Sequence, residues 1–301
     1  MSPLASSDTR IGLIGLGIMG SAYAANLIKH GFCVSGHDVS TPARERLAAA
    51  GGRALGTAAE VAAGNDCLLL ALPSPAALDA VAREIAPHLR EGAVVCEMGT
   101  FAPEDKEAAR AEIEAARALL LDCPVSGTGM QAATGDLVIY ASGDENACAR
   151  MAPVFTALSR KVVYAGAFGA GMKLKCVANL LVSVHNLVTA EAMLLAERCG
   201  LDLGMTLDAI GEGAANSRIW GLRGPLMAAG RYEPASMKLE VHLKDLALIK
   251  AFAQSVGAPT PLLDASAPFY HGAVAEGRGR QDTAALYETL KTLAMAPSKG
   301  P

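Results

Sequence analysis

Lys175 and Asn179 stand four residues apart in a run with no Pro or Gly from Met172 to Cys199. That spacing puts both on one face of any helix formed there. At 1.5 Å per residue such a helix is roughly 40 Å long, enough to cross a domain. Gly166, Gly169 and Gly171 before it, and Gly200 after it, mark its ends. Nearly every face of the run is apolar, which predicts burial on most sides. A lysine in such surroundings is paired, reaches its ammonium out to water, or titrates low. In the last case it can pass a proton near neutral pH, and an amide on the same face can hold the group that gives or takes it. Lys173 points to a different face and reads as a bystander.

A second chemical motif opens the chain. The apolar run Arg10–Ile14 leads straight into Gly15-Leu16-Gly17-Ile18-Met19-Gly20, a helical pattern follows to His30, and a second β-type run ends in His37-Asp38. Strand, GxGxxG, helix, strand and an acid roughly 20 residues beyond the first glycine form the fingerprint of a dinucleotide site. Gly15 permits a tight turn and Gly17 a close approach of backbone to pyrophosphate. Gly20 lets the helix lie on the strand, with its N-terminus toward the phosphates. Asp38 would accept hydrogen bonds from the adenosine ribose and repel a 2′-phosphate, which favours NAD over NADP, although Arg44 and Arg46 lie just beyond. The plainer reading of Asp38 is a surface acid after a strand.

Further elements must position these residues. A Pro-led helix starts at Thr41-Pro42, Thr57 and Glu60 form a capping box, and residues 66–72 are an apolar run ended by Pro73. Strands follow at 93–97 and 119–123 with a helix at 103–118 between them. Strand and helix thus alternate to about residue 123, as in a doubly wound α/β sheet with ligands at the carboxyl ends of its strands. The glycine-rich loop 122–136 reads either as an anion cradle or as an ordinary turn-rich connection. Two strands at 137–141 and 161–164, flanking a helix at 144–158, close the first domain. Beyond the long helix every signal is helical: from Asp202, after Asn216-Ser217, and at 236–256, 261–272 and 282–293. The tail 296–301 reads as a frayed end. The expected fold is therefore α/β: a Rossmann-type domain over 1–165, then an all-α domain over 166–301 joined through the long interdomain helix.

Composition narrows the class. A chain of 301 residues with 51% hydrophobic and 19% charged side chains can build two real cores, and a net charge of −4 argues against nucleic acid. Seven scattered cysteines without a CxxC pair read as buried reduced thiols in a cytoplasmic protein, and six histidines without HxxxH spacing give no metal site. The N-terminus has no apolar core of a secretory signal. Lys175, Asn179, His185, Asn186, Glu191 and Glu197 argue against a membrane span. The apolar helix needs more cover than the helical half provides, so a homodimer or homotetramer is expected.

Four motifs in order resemble those of the β-hydroxyacid dehydrogenase family, which includes 3-hydroxyisobutyrate dehydrogenase and tartronate semialdehyde reductase. They are Gly15-Leu-Gly-Ile-Met-Gly20, Asp122-Cys-Pro-Val-Ser-Gly127, Gly169-Ala-Gly-Met-Lys-Leu-Lys175 with Asn179, and Lys244-Asp245. The resemblance implies hydride transfer between a nicotinamide cofactor and a small 3-hydroxy acid or aldehyde acid, with Lys175 as general acid/base and Asn179 on the substrate. It implies that Ser126, Gly127 and Thr128 hold the carboxylate. Thr100 would abut the nicotinamide, Leu72-Pro73 would pass the cofactor, and Lys244 would reach back to it or stand solvated on its helix. The chain departs from the family at Gly99 (usually Ser), Thr128 (often Gly) and Ala178 (commonly Asn), and the first two bear on substrate choice. One of Arg218 and Trp220 would wall the substrate pocket or recognise a second acidic group; the plainer reading is a surface Arg and an interface Trp. Two other functions use the same scaffold: imine reduction, whose proton donor need not be Lys, and redox sensing without turnover. An oxidative decarboxylase of the 6-phosphogluconate type would need a longer helical half and a basic phosphate site.

Overall fold

Strand and helix alternate through the first half of the chain in the computed structural model, which describes residues 10–295. The first residues and the tail 296–301, read above as frayed, lie outside the described residues. Two compact units divide at Lys175 and Cys176, inside the long helix rather than at its start.

The first unit contains β1 (Arg10–Ile14), α1 (Ile18–Lys29), β2 (Cys33–His37), α2 (Thr41–Ala49), β3 (Arg53–Ala54), α3 (Ala58–Gly64), β4 (Cys67–Leu70) and α4 (Pro75–Ile85). β5 (Val94–Glu97), α5 (Pro103–Ala115) and β6 (Leu119–Asp122) complete a parallel sheet in the order β3-β2-β1-β4-β5-β6. The chain reverses its direction of growth between β1 and β4, and the crevice there is where such sheets take ligands. Gly15, Ala71 and Met98 follow β1, β4 and β5, so three of the motif loops leave the same edge. Successive residues alternate faces. Ile11, Leu13, Cys67 and Leu69 join one buried cluster, and Ile14, Leu68, Leu70 and Val95 the other. Cover on both faces explains why these strands read as unbroken apolar runs. The short edge strand β3 was not foreseen. Thr57 and Glu60 form the expected capping box, whereas the N-cap position of α2 is Ser40, without a side-chain bond, and Thr41 is the first helical residue rather than the cap.

β7 (Val125–Ser126), α6 (Gly129–Ala133), β8 (Leu137–Ala141), α7 (Glu145–Leu158) and β9 (Ser159–Tyr164) follow. The three strands make a separate sheet in the order β7-β8-β9, antiparallel then parallel.

α8 (Ala170–Arg198) is the long helix. The second unit continues it with α9 (Leu203–Gly211), α10 (Arg218–Ala229), α11 (Leu239–Ser255), α12 (Pro261–Ala273) and α13 (Leu286–Met295). Side chains cap two of these starts, as the sequence suggests: Asp202 accepts from Met205 N–H and Ser217 from Trp220 N–H, while Asp282 caps the short 3-10 turn Thr283–Ala285 before α13 by accepting from Ala284 N–H. Leu187, Met193, Trp220, Leu239, Tyr270 and Leu286 share one core.

One expectation is corrected. Five of the seven free cysteines are buried, but Cys33 and Cys199 are exposed. One face of α8 is left uncovered, in line with the expectation that the helical half cannot cover it all: Val177, Leu181, Val188 and Leu195 remain 56%, 49%, 53% and 66% exposed. Their spacing of four and seven residues is that of a single helical face.

Candidate active site

The glycine turn after β1 is shaped by what its glycines leave out. Gly15 adopts φ of 90°, and a Cβ there would run into the carbonyl of Ala71. A Cβ on Gly20 would strike the carbonyl of Gly15. Gly17 is different, because a Cβ there would meet nothing within 4 Å. Its open backbone caps α1, and no side chain takes up the helix's first amides. Unclaimed N–H groups at a helix start, with the dipole behind them, form an anion site. Leu16 is buried, Met19 half-buried and Ile18 69% exposed.

Asp38 closes this turn from the end of β2. Its Oδ2 accepts the Leu16 N–H at 2.6 Å and its Oδ1 the Ser40 N–H at 2.8 Å. Arg44 is turned onto the Asp38 carbonyl at 2.5 Å and the Thr41 hydroxyl at 3.0 Å. The cradle therefore fits a dinucleotide pyrophosphate, with the Asp38 carboxylate closing it.

The neighbouring loops converge on the same edge. A Cβ on Gly15 would lie 3.5 Å from Leu72 Cδ2, and the following Pro73 is exposed. Thr100 is half-buried after β5. The loop of Ser126, Gly127 and Thr128 lies against the cradle: a Cβ on Gly129 would come 2.5 Å from Ile18 Cγ2. Asn26 of α1 fixes the loop's helix by donating to the Ala132 carbonyl at 2.6 Å. Gly127 has φ of 140°, which suits glycine. One assignment needs amending, since the Thr128 N–H is taken by Gln131 Oε1 at 3.1 Å. The pattern Thr128-Gly-Met-Gln131 is itself a capping-box signature, so this use was legible.

Lys175 is 6% exposed and sits one turn into α8, between buried Met172 and Cys176. Lys173 is exposed, on the other face as expected. Side chains from distant strands receive the first amides of α8. Gly171 N–H donates to Ser142 Oγ at 2.9 Å and Met172 N–H to Asp122 Oδ2 at 2.8 Å. Asp122, Ser142 and the lysine bonded to Asp122, Lys106, are residues that sequence reasoning missed as supports.

In the second unit, Asn179 donates to Asp245 Oδ2 at 3.1 Å, and Lys244 Nζ stands 3.3 Å from Asp245 Oδ1. Below it on α8, Ser183 bonds to His242 Nε2 at 3.0 Å. Asn186 donates to the Tyr270 hydroxyl and the Thr283 carbonyl. Tyr270 in turn donates to the Ser183 carbonyl at 2.9 Å. Burial pushes the Tyr270 hydroxyl well above the usual phenol range, so it stays a neutral donor. α8 thus presents a buried polar stripe, each member held by a partner, inside an otherwise apolar helix. Trp220 is a core residue that donates to the Leu207 carbonyl at 3.2 Å. Arg218 is exposed at the start of α10.

Hydride exchange with a nicotinamide requires a gripped dinucleotide, and the first unit carries a cradle that fits one. The class of protein these features define is a nicotinamide-dependent oxidoreductase.

Comparison with known proteins narrows the class. Residues 10–166 match the NAD-binding domain of 6-phosphogluconate dehydrogenase, and residues 169–290 the NAD-binding family of NADP-dependent 3-hydroxyisobutyrate dehydrogenase. The L-threonate dehydrogenase of Escherichia coli is 31% identical over 97% of this chain and 98% of its own. A crystal structure of 3-hydroxyisobutyrate dehydrogenase from Salmonella typhimurium aligns with a TM-score of 0.84 at 30% identity, over 93% of this chain and 99% of that one. The Mycobacterium tuberculosis 3-hydroxyisobutyrate dehydrogenase with L-serine gives a TM-score of 0.85 at 29% identity, over 94% and 99%. The chain belongs to the β-hydroxyacid dehydrogenase family and is an NAD(P)-dependent oxidoreductase acting on CH–OH.

Proposed function

We propose that this protein oxidises a small 3-hydroxy acid, or reduces the matching aldehyde acid, with NAD and with Lys175 as the general acid/base. The observation that carries the reading is the buried lysine on a helix whose first turn is bonded to the dinucleotide-binding unit. Bound NAD supplies the hydride acceptor. Lys175 takes the hydroxyl proton as hydride leaves carbon, and returns it in the reverse direction. Asn179, whose amide nitrogen is given to Asp245, offers its carbonyl oxygen to the substrate one helical turn away. The Ser126 and Thr128 hydroxyls and the Gly127 amide take the carboxylate, while Thr100, Leu72 and Pro73 bound the nicotinamide. Lys244, held beside Asp245, neutralises charge at the cofactor. Asp38 supports NAD over NADP, since a 2′-phosphate would meet its carboxylate and Arg44 is already engaged.

Relatives named for L-threonate, 3-hydroxyisobutyrate and L-serine support small hydroxy acids as the substrate class. The exposed stripe of Val177, Leu181, Val188 and Leu195 supports a homodimer or homotetramer closed over α8. Seven free thiols suit the reducing cytoplasm. The test is initial rates on those three acids with NAD and with NADP. Turnover of at least one acid, faster with NAD, is the expected result. NADH binding with no turnover of any hydroxy acid would move the reading to imine reduction or sensing.

A further inference from the structure

Lys106 is 1% exposed in the middle of the first unit. Its ammonium donates to the Gly99 carbonyl at 2.9 Å and to Asp122 Oδ1 at 2.6 Å, and pairs with Glu97 Oε2 at 2.6 Å. Two hydrogen bonds and one ion pair thus surround the ammonium. Burial alone would push the Lys106 ammonium down, but Glu97 and Asp122 outweigh that and hold it above the usual lysine range. Glu97 and Asp122 face each other in register at the ends of β5 and β6.

The far oxygens of the two acids lead in different directions. Glu97 Oε1 accepts the Gly99 N–H at 2.6 Å, so the turn before Thr100 is gripped at both its amide and its carbonyl. Asp122 Oδ2 accepts the Met172 N–H at 2.8 Å and the Ser142 hydroxyl at 3.2 Å, and Ser142 Oγ accepts the Gly171 N–H. The packing leaves no slack at either end. A Cβ on Gly99 would lie 2.6 Å from Glu97 Oε1, and one on Gly171 would lie 2.8 Å from the Asp122 carbonyl. Buried ion pairs are seldom the cheapest route to stability, because desolvation opposes them. What this one provides is a fixed geometry between a turn and a helix.

We propose that Lys106 is a positioning residue for the reaction. By holding Glu97 and Asp122 on one ammonium, it fixes the turn that carries Thr100 and the first turn of the helix that carries Lys175 to a common point. The assignment rests on the reading of Lys175 as the proton-transfer group. Without Lys106 the two carboxylates repel, Asp122 shifts, and the Gly171 and Met172 amides lose their acceptors.

The test compares wild type, Lys106→Met and Ser142→Ala by amide hydrogen exchange over residues 168–176 and by steady-state kinetics. Exchange at Gly171 and Met172 should rise roughly 10-fold or more in both variants, with the glycine-turn segment unchanged. In the same variants kcat should fall roughly 10- to 100-fold while KM for NAD stays within about twofold, as misplacement of a reacting group predicts. A merely stabilising cluster would lower Tm and leave kcat of the folded enzyme untouched, which would overturn the proposal. So would unchanged exchange at Gly171 and Met172. Should Lys106→Met fail to fold, Ser142→Ala decides alone, since it removes an acceptor without stranding a charge. Equal turnover by wild type and Lys175→Ala would sink the reading of Lys175 instead, and exchange would still decide whether Lys106 anchors the helix.

Discussion

Asp38 Oδ2 accepts the Leu16 N–H at 2.6 Å, joining the acid after β2 to the glycine turn after β1. One carboxylate therefore shapes the cradle, and in the proposed NAD reading it also sets the charge at the ribose end. Asp38→Asn keeps an oxygen for Leu16 but removes the charge. The ratio of kcat/KM for NAD to that for NADP should fall on the order of tenfold, which corresponds to about 1.4 kcal/mol. An unchanged ratio would mean that discrimination lies elsewhere.

Gly17 and Gly20 should fail in different ways. A Cβ on Gly17 has open space around it, whereas one on Gly20 meets the Gly15 carbonyl. Gly17→Ala should fold with Tm near wild type yet weaken NADH binding, because the new methyl stands where the pyrophosphate approaches. Gly20→Ala should lower Tm as well, by displacing α1 from the turn. Fluorescence titration with NADH, beside thermal unfolding, separates the two.

Stability should be lost on the alkaline side. Burial pushes the Cys67 thiol up to about 11 and the Cys148 thiol up to about 12, from an ordinary 9.0. It pushes the Tyr23 hydroxyl higher still. Raised values mean that the unfolded chain ionises first. These groups' contribution is then complete below pH 9 and falls as pH climbs through the folded values. Tm should be flat from pH 7 to about 9 and decline above. A decline that begins below pH 8 would point to other groups.

The exposed face of α8 makes a separate prediction. Val188 and Leu195 lie two turns apart on that face. Replacing both by Glu should shift the protein to a smaller species by light scattering, at little cost to its fold, because neither side chain is in the core. A wild-type monomer at micromolar concentration would refute the assembly outright.

Much of this architecture is written locally. The glycine turn, the Thr57–Glu60 capping box and the caps at Asp202 and Ser217 each depend on residues a few positions apart, and each forms as the sequence indicates. The supports of the site are not local. Lys106 sits among Glu104, Asp105 and Glu107, a pattern that reads as a solvated helix start. Its burial depends on Glu97 and Asp122 from two strands. Asp122 was visible as part of a motif, but its partner Met172 is 50 residues on. Of the second sheet, β8 and β9 were legible as apolar runs, but β7 was not, since a two-residue strand carries almost no periodicity. Composition shows that α8 has more apolar surface than its own half can cover, but it does not say which face is left open.

The most direct test of the central claim is kcat of Lys175→Ala against wild type, on whichever acid turns over with NAD, with NADH affinity measured in parallel. A general acid/base lysine predicts a fall of roughly 100- to 10,000-fold with NADH affinity preserved. A variant that still binds NADH and turns over within about tenfold of wild type would contradict it, since loss of a proton-transfer group costs more than that.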